Sequence, residues 1–124
     1  MTEILDFLGI PDILLTPVSA LTFAQQRFVE IARAIAVRPR LLMLDEPAAG
    51  LSPTEVANLD ALLRRLRDEW GMSILLVEHV LSLVLEISDR VTVLDNGAMI
   101  SEGTPTAVAG DARVKTAYLG DASC

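Results

Sequence analysis

The sequence predicts an α/β fold with parallel strands and one short antiparallel hairpin. Short apolar runs stand at residues 41–44, 73–77 and 91–94, each bounded by turn residues, which is the signature of buried strands. Between the first two lies a stretch with leucines at helical spacing, so strand, helix and strand follow one another as in a parallel sheet. Asp95-Asn96-Gly97 then reads as a hairpin turn joining residues 91–94 to the returning strand Ala98-Met99-Ile100-Ser101.

Residues 2–8 read as a short helix with Thr2 as N-cap and Ile4, Leu5 and Leu8 along one face. Gly9 stops it, and Pro11 and Pro17 punctuate an irregular connection. Thr22-Phe23-Ala24-Gln25 is a capping box, with a hydroxyl at the N-cap and Gln three residues on. The helix it opens runs to about Val37, with Phe28, Ile31, Ala32 and Ile35 as its apolar stripe. Arg27, Glu30, Arg33 and Arg38 take the wetter faces, and Arg38-Pro39 ends the helix because a residue before proline avoids that conformation. Leu41-Leu42-Met43-Leu44-Asp45-Glu46-Pro47 reads as a buried strand that delivers two adjacent carboxylates to a sheet edge.

Gly50-Leu51 gives a turn, and Ser52-Pro53-Thr54-Glu55 forms a second capping box with proline at the first helical position. The helix that follows buries Val56, Leu59, Leu63 and Leu66, Trp70 extends the stripe, and Gly71 terminates it. Residues 73–77 are a second buried strand ending at Glu78-His79. A helix over 81–88 leads to the third strand; Thr104-Pro105 starts a short helix that Gly110 ends, and a last helix carries Val114, Ala117, Tyr118 and Leu119. No internal repeat or low-complexity segment is present, and the sequence marks no domain boundary.

At 124 residues the chain is at most one domain, long enough for a real core. A formal net charge of −7 and the lack of a basic stripe exclude a nucleic-acid groove; Arg64, Arg65 and Arg67 read as a solvated helix face. The lone Cys124 implies neither a disulfide framework nor a metal site, which fits a reducing cytosol. Met1-Thr2-Glu3 lacks the basic region of a signal peptide, and Glu78, His79 and Glu86 interrupt the apolar run over 74–87, so no membrane span is expected. A hydrophobic fraction of 52% with a mean hydropathy of +0.46 is high for a freestanding domain of this size. It points to surface meant to be covered.

Three features carry chemistry. Parallel sheets place ligands beyond the carboxyl ends of their strands, where Asp45 and Glu46 sit. In phosphoryl transfer such a pair divides the work, the strand-end Asp orienting Mg²⁺ and the following Glu polarising a water, although a buried strand that simply ends in a charged turn explains the same residues equally well. The capped helix at Thr22 aims backbone N–H groups at its own N-terminus, which suits a phosphate, although an ordinary capped amphipathic helix explains the same local pattern. His79 is the only histidine. A lone His is by default a core residue with a satisfied hydrogen bond; its place at a strand end admits a ligand contact instead.

Leu21-Thr22-Phe23-Ala24-Gln25-Gln26-Arg27, the run 41–47, Ala49-Gly50-Leu51-Ser52-Pro53 and Val77-Glu78-His79 together resemble the second half of an ATP-binding cassette (ABC) domain. They stand as its signature loop, Walker B, D-loop and H-loop, in that order. Asp45-Glu46-Pro47-Ala48-Ala49-Gly50-Leu51, Leu76-Val77-Glu78-His79 and the ending Ala117-Tyr118-Leu119-Gly120 are similar to the ATPase subunits of branched-chain amino-acid importers. The resemblance implies a partial P-loop NTPase core over 41–124 and part of the helical subdomain over 1–40. It implies that Asp45 holds Mg²⁺ through water, Glu46 is the general base and His79 contacts the γ-phosphate. Thr22, Phe23, Ala24 and Gln25 would meet ATP held by a second ATPase subunit. Ser52 occupies the last D-loop position, where helix capping is favoured over a contact across the dimer. Thr22 keeps the hydroxyl of the usual Ser, whereas Ala24 stands where a second glycine is normal and adds a methyl beside the backbone. The implied partners are that second ATPase subunit and integral-membrane permease subunits, at the cytoplasmic face of the plasma membrane. Cassettes for urea, amides or lipopolysaccharide are similar.

A glycine-rich P-loop with its lysine is absent: the only lysine is Lys115, with no glycine at the required spacing. The chain alone is therefore expected to be inactive. The family places the P-loop strand between the strands 73–77 and 91–94, so unpaired edges and self-association are expected. The rival expectation is a non-catalytic interaction module.

Overall fold

The structure, a computed structural model, describes residues 2–119. The chain divides into two compact units, Met1–Val77 and Glu78–Cys124.

The first unit opens with helix α1 (Thr2–Phe7), whose buried residue is Leu5; Thr2 is its first helical residue rather than its cap. Gly9 leaves the helix with φ +72°, and two short 3-10 turns, Pro11–Ile13 and Val18–Ala20, make the irregular connection. Helix α2 (Phe23–Ile35) carries both halves of the expected capping box and buries Phe28, Ile31, Ala32 and Ile35 together with Ala24. It ends two residues before the expected Val37. Arg38, excluded from helical φ by the following proline, adopts φ +50° while its N–H reaches back to the Ile35 carbonyl.

Helix α3 (Pro53–Trp70) also starts with a complete capping box, and its buried stripe is Leu59, Leu62, Leu63 and Leu66. Val56 and Trp70 lie at its half-buried margins. Gly71, at φ +63°, closes it with a left-handed turn in which the Met72 N–H donates to the Leu66 carbonyl. The Phe7 and Trp70 rings meet at 4.9 Å, the Arg65 guanidinium lies 3.9 Å over Phe7 and donates to the Phe7 carbonyl, and Arg38 covers Trp70. This stack ties α1 to the end of α3 and accounts for one of the three arginines expected to be merely solvated.

Strands β1 (Leu41–Asp45) and β2 (Ser73–Val77) pair in parallel and in register, Leu42 opposite Ile74 and Asp45 opposite Val77. Both were expected to be buried on both faces, and the structure corrects this. Leu42 is 4% exposed, yet Leu41, Met43, Leu75 and Val77 on the opposite face are 50% exposed or more. Parallel strands read as continuous apolar runs because both faces are normally covered by helices; among the described residues only one face is.

In the second unit, helix α4 (Leu81–Ile87) precedes the antiparallel pair β3 (Val91–Asp95) and β4 (Ala98–Gly103). Asn96 and Gly97 take φ +48° and +79°, the two left-handed residues of the tight turn expected from Asn-Gly. A bulge falls where Val93 pairs with Ser101 but Leu94 with Met99. Helices α5 (Pro105–Gly110) and α6 (Ala112–Leu119) complete a core of Val91, Val93, Val108 and Val114, against which Leu81, Val84, Leu85 and Ile100 pack. The Tyr118 hydroxyl donates to the Leu94 carbonyl. The side chain of Leu119 lies outside the described residues, as does Gly120. Asp111 accepts hydrogen bonds from the Arg113 side chain and backbone and from Ser101, which hold its carboxyl well below the usual range. Among the described residues β2 pairs only with β1 and β3 only with β4.

Ser52 accepts from the Glu55 N–H, and Glu55 accepts from the Ser52 N–H at 2.8 Å. Ser52→Ala should lower stability by about 1 kcal/mol, read as a reduced urea midpoint at unchanged slope. Ser52→Asp should restore it.

Candidate functional site

The two carboxylates of the first unit are positioned by backbone pairing. Asp45 is the last residue of β1, and the ladder runs one bond further, the Glu46 N–H donating to the Val77 carbonyl at 2.8 Å. Glu46 then takes φ +46°, a left-handed conformation costing a non-glycine residue roughly 1–2 kcal/mol. Its carbonyl accepts from Ala49, and that of Ala48 from Leu51, so two tight turns lead from Glu46 to the cap of α3. Backbone held in a disfavoured region by its surroundings is characteristic of functional positions. Both carboxylates are exposed.

At the N-terminus of α2 the capping box occupies much of the expected ligand-contacting set. Thr22 Oγ1 accepts from the Gln25 N–H at 3.2 Å, and Gln25 Oε1 accepts from the Thr22 N–H at 2.9 Å. The Thr22 hydroxyl proton and the Gln25 side-chain NH₂ are not used by the box. Ala24 is buried on the apolar face, so it could meet a ligand only through its backbone. Ser52 is engaged as the cap of α3, the role favoured from sequence.

Phe23 does something the sequence did not announce. Its ring is half exposed, stands 5.1 Å from the Arg27 guanidinium, and lies against Gly50 so closely that a Cβ there would come within 2.9 Å of it. The cap of α2 and the turn that follows Glu46 are thus in direct contact. Arg27 itself pairs with Glu30 at 3.0 Å, while its Nε is buried without a hydrogen-bond partner. A cleft of about 220 Å³ opens beside it, lined by Arg27, Glu30, Ile31, Ala34, Met43, Leu44, Asp45 and Pro47. The signal for Arg27 was available: an aromatic and a cation four residues apart share a helix face.

His79 belongs to the second unit, two residues beyond the end of β2. Its side chain is 61% exposed, which sets aside the default of a core histidine. Glu78, quoted from sequence but given no role, has a side chain with no exposed surface. Among the described residues no cluster of three or more metal-ligating side chains forms.

Comparison with known proteins decides the family. A model described as ABC transporter matches residues 1–49, and one described as branched-chain amino acid ATP-binding cassette transporter matches residues 98–123; between them they cover more than half of the chain. The chain belongs to the ATP-binding cassette family. It is 49% identical over 102 residues to the high-affinity branched-chain amino acid transport ATP-binding protein BraF of Pseudomonas aeruginosa, covering 82% of this chain and 40% of that protein. It is 46% identical over 104 residues to LivG of Escherichia coli K12, a protein of the same description, covering 84% and 41%. The ADP conformation of MJ1267, an ATP-binding cassette of an ABC transporter, superposes with a TM-score of 0.85 at 31% identity, covering 97% of this chain and 48% of that one. The chain thus spans about two fifths of the length of the curated relatives it matches.

The close approach at Gly50 of this cassette segment yields a test. Gly50→Ala meets both a φ of +76° and the Phe23 ring, and should cost at least 1–2 kcal/mol in chemical denaturation. Adding Phe23→Ala should recover the steric share and leave the conformational share.

Proposed function

We propose that this chain supplies the acid pair, signature helix and H-loop histidine of the ATP-hydrolysing subunit of an importer for branched-chain amino acids. The observation that carries the reading is the placement of Asp45 and Glu46 side by side at the carboxyl edge of a parallel pair, with Glu46 held in a left-handed turn. The donor set fits the hard cation of phosphoryl transfer. Mg²⁺ is usually held by one or two carboxylates, waters and substrate phosphates rather than by a protein cage. An exposed strand-end Asp, with no wider ligand cluster among the described residues, suits that mode. Bound with ATP, Mg²⁺ would neutralise charge developing on the phosphates.

Within this reading Asp45 would hold Mg²⁺, and the Glu46 carboxylate would accept the proton of the water that attacks the γ-phosphorus as the bond from that phosphorus to the β-phosphate oxygen breaks and ADP leaves. His79 donates to a γ-phosphate oxygen. Thr22, Phe23, Ala24 and Gln25 face ATP bound to a second ATPase subunit, through the α2 N-terminus, the free Thr22 hydroxyl proton and the Gln25 NH₂. Ser52 serves the α3 cap. Residues 1–40 form part of the helical subdomain and 41–124 part of the catalytic core. The whole protein works with integral-membrane permease subunits at the cytoplasmic face of the plasma membrane. The relatives named for branched-chain amino acid transport support the choice of substrate class.

A second reading, an interaction module that associates with its own copies, is favoured by the uncovered apolar face of β1 and β2. Light scattering at micromolar concentration decides it: a monodisperse 13.4 kDa species removes it.

Two outcomes test the first reading. By isothermal titration the 124-residue chain should bind MgATP weakly, with turnover at background, because it carries no glycine-rich loop. In a full-length cassette Glu46→Gln should lower kcat by about 10²–10⁴-fold while ATP binding is retained. Unchanged turnover would assign the base elsewhere.

A further inference from the structure

We propose that Phe23 is a positioning residue for Glu46, its ring holding closed the turn on which that residue stands. The role rests on reading Glu46 as the general base. The turn carries two left-handed residues, Glu46 at φ +46° and Gly50 at φ +76°. Its inner bonds run from the Ala49 N–H to the Glu46 carbonyl and from the Leu51 N–H to the Ala48 carbonyl, both at 3.1 Å. Strand pairing anchors its start through the Glu46 N–H, and the Ser52 capping box anchors its end. Gly50 stands between these anchors.

A glycine has no side chain to restrict its own backbone, and it visits left-handed and right-handed regions about equally. Restriction then comes from what lies against it. At Gly50, three consecutive atoms of the Phe23 ring, Cδ1, Cε1 and Cζ, lie within 3.6 Å of where a Cβ would stand. The ring edge thus takes the place of the missing side chain. Without it Gly50 regains its freedom and the turn can open. Glu46 then relaxes from a conformation that a non-glycine residue keeps only when its surroundings impose it.

The ring can act as a wall because it is itself held. Phe23 is the first residue of α2, and the reciprocal bonds of Thr22 and Gln25 fix the backbone from which its side chain springs. The Arg27 guanidinium stands over the ring, 5.1 Å from its centroid, drawn to the aromatic face. The ion pair of Arg27 with Glu30 at 3.0 Å keeps the guanidinium on that side. Phe23 stays half exposed, so its ring is a wall at the surface rather than a piece of the core. In this role it acts through Gly50 and does not touch the water that Glu46 would deprotonate.

In the 124-residue chain a nuclear Overhauser contact between the Phe23 ring protons and the Gly50 Hα protons is expected, and its absence overturns the proposal. Phe23→Ala should speed hydrogen exchange of the Ala49 and Leu51 amides by about tenfold or more, while the Leu62 and Leu63 amides within α3 keep their rates. Phe23→Tyr retains the ring and should keep the wild-type protection. Unchanged exchange at Ala49 and Leu51 in Phe23→Ala overturns the proposal. An equal acceleration throughout α3 overturns it too, because that marks a general loss of stability. If Phe23→Ala does not fold, Phe23→Leu, which keeps apolar bulk without the ring edge, is read in the same way.

In a full-length cassette Phe23→Ala should lower kcat by about 10–100-fold, the scale of a misplacement of about 1 Å, with the KM for ATP little changed. A raised KM at unchanged kcat would mean that the ring only meets nucleotide, and overturns the proposal. Full turnover in Glu46→Gln would discard the reading of Glu46 as the base by itself. Accelerated exchange in Phe23→Ala would then still retain Phe23 as the support of the turn.

Discussion

The parallel pairing of β1 with β2 is the constraint on which the rest of the candidate site depends. Its register sets Asp45 opposite Val77, and its last bond runs from the Glu46 amide to the Val77 carbonyl. That bond fixes the amide of Glu46 while the residue itself turns left-handed. A one-residue slip would exchange every inward for every outward side chain and move both acids off the edge. The alternation of exposure along β1, with Leu42 buried between exposed neighbours, records the register in which the chain has settled.

Both helices that flank the acid pair are started by the same device. Reciprocal capping at Thr22–Gln25 and Ser52–Glu55 satisfies amides that a helix end otherwise leaves without partners. The device has a functional consequence, since a hydroxyl used as an acceptor keeps only its proton for a ligand. At Ser52 this favours architecture. At Thr22 the N-terminus still offers backbone N–H groups and a neighbouring aromatic ring, and that ring rests on the glycine of the turn following Glu46. Helix start and acid-bearing turn therefore share one contact, in which only a residue without a Cβ fits.

The high apolar content finds its explanation in the sheet. Leu41, Met43, Leu75 and Val77 present one half-exposed apolar face, and Leu94 and Met99 are likewise exposed on the hairpin. Among the described residues nineteen apolar side chains are nevertheless buried, and Leu15 and Val37 are exposed off the strands as well, so the surplus lies on uncovered surface rather than in a failed core. Contiguous exposed apolar surface marks places that meet other molecules or other segments, and the chain spans about two fifths of the length of its relatives.

Local chemistry determined a great deal of this protein from sequence alone. The two capping boxes, the Gly71 stop, the Asn96-Gly97 turn and the order of strands and helices depend on neighbours within a few residues, and each formed where the residues implied. The adjacency of Asp45 and Glu46 at a strand end was legible for the same reason. Tertiary structure decided what depends on distant atoms. Which face of β1 is covered, the approach of Phe23 to Gly50 and the stacking of Arg65 and Arg38 on Phe7 and Trp70 join residues tens of positions apart. Periodicity carries no information about such pairings. Glu78 is the instructive middle case: its carboxylate accepts from the N–H groups of its immediate neighbours His79 and Val80, yet its burial could not be read, because a carboxylate beside a histidine looks the same in sequence whether it faces water or folds back onto the backbone.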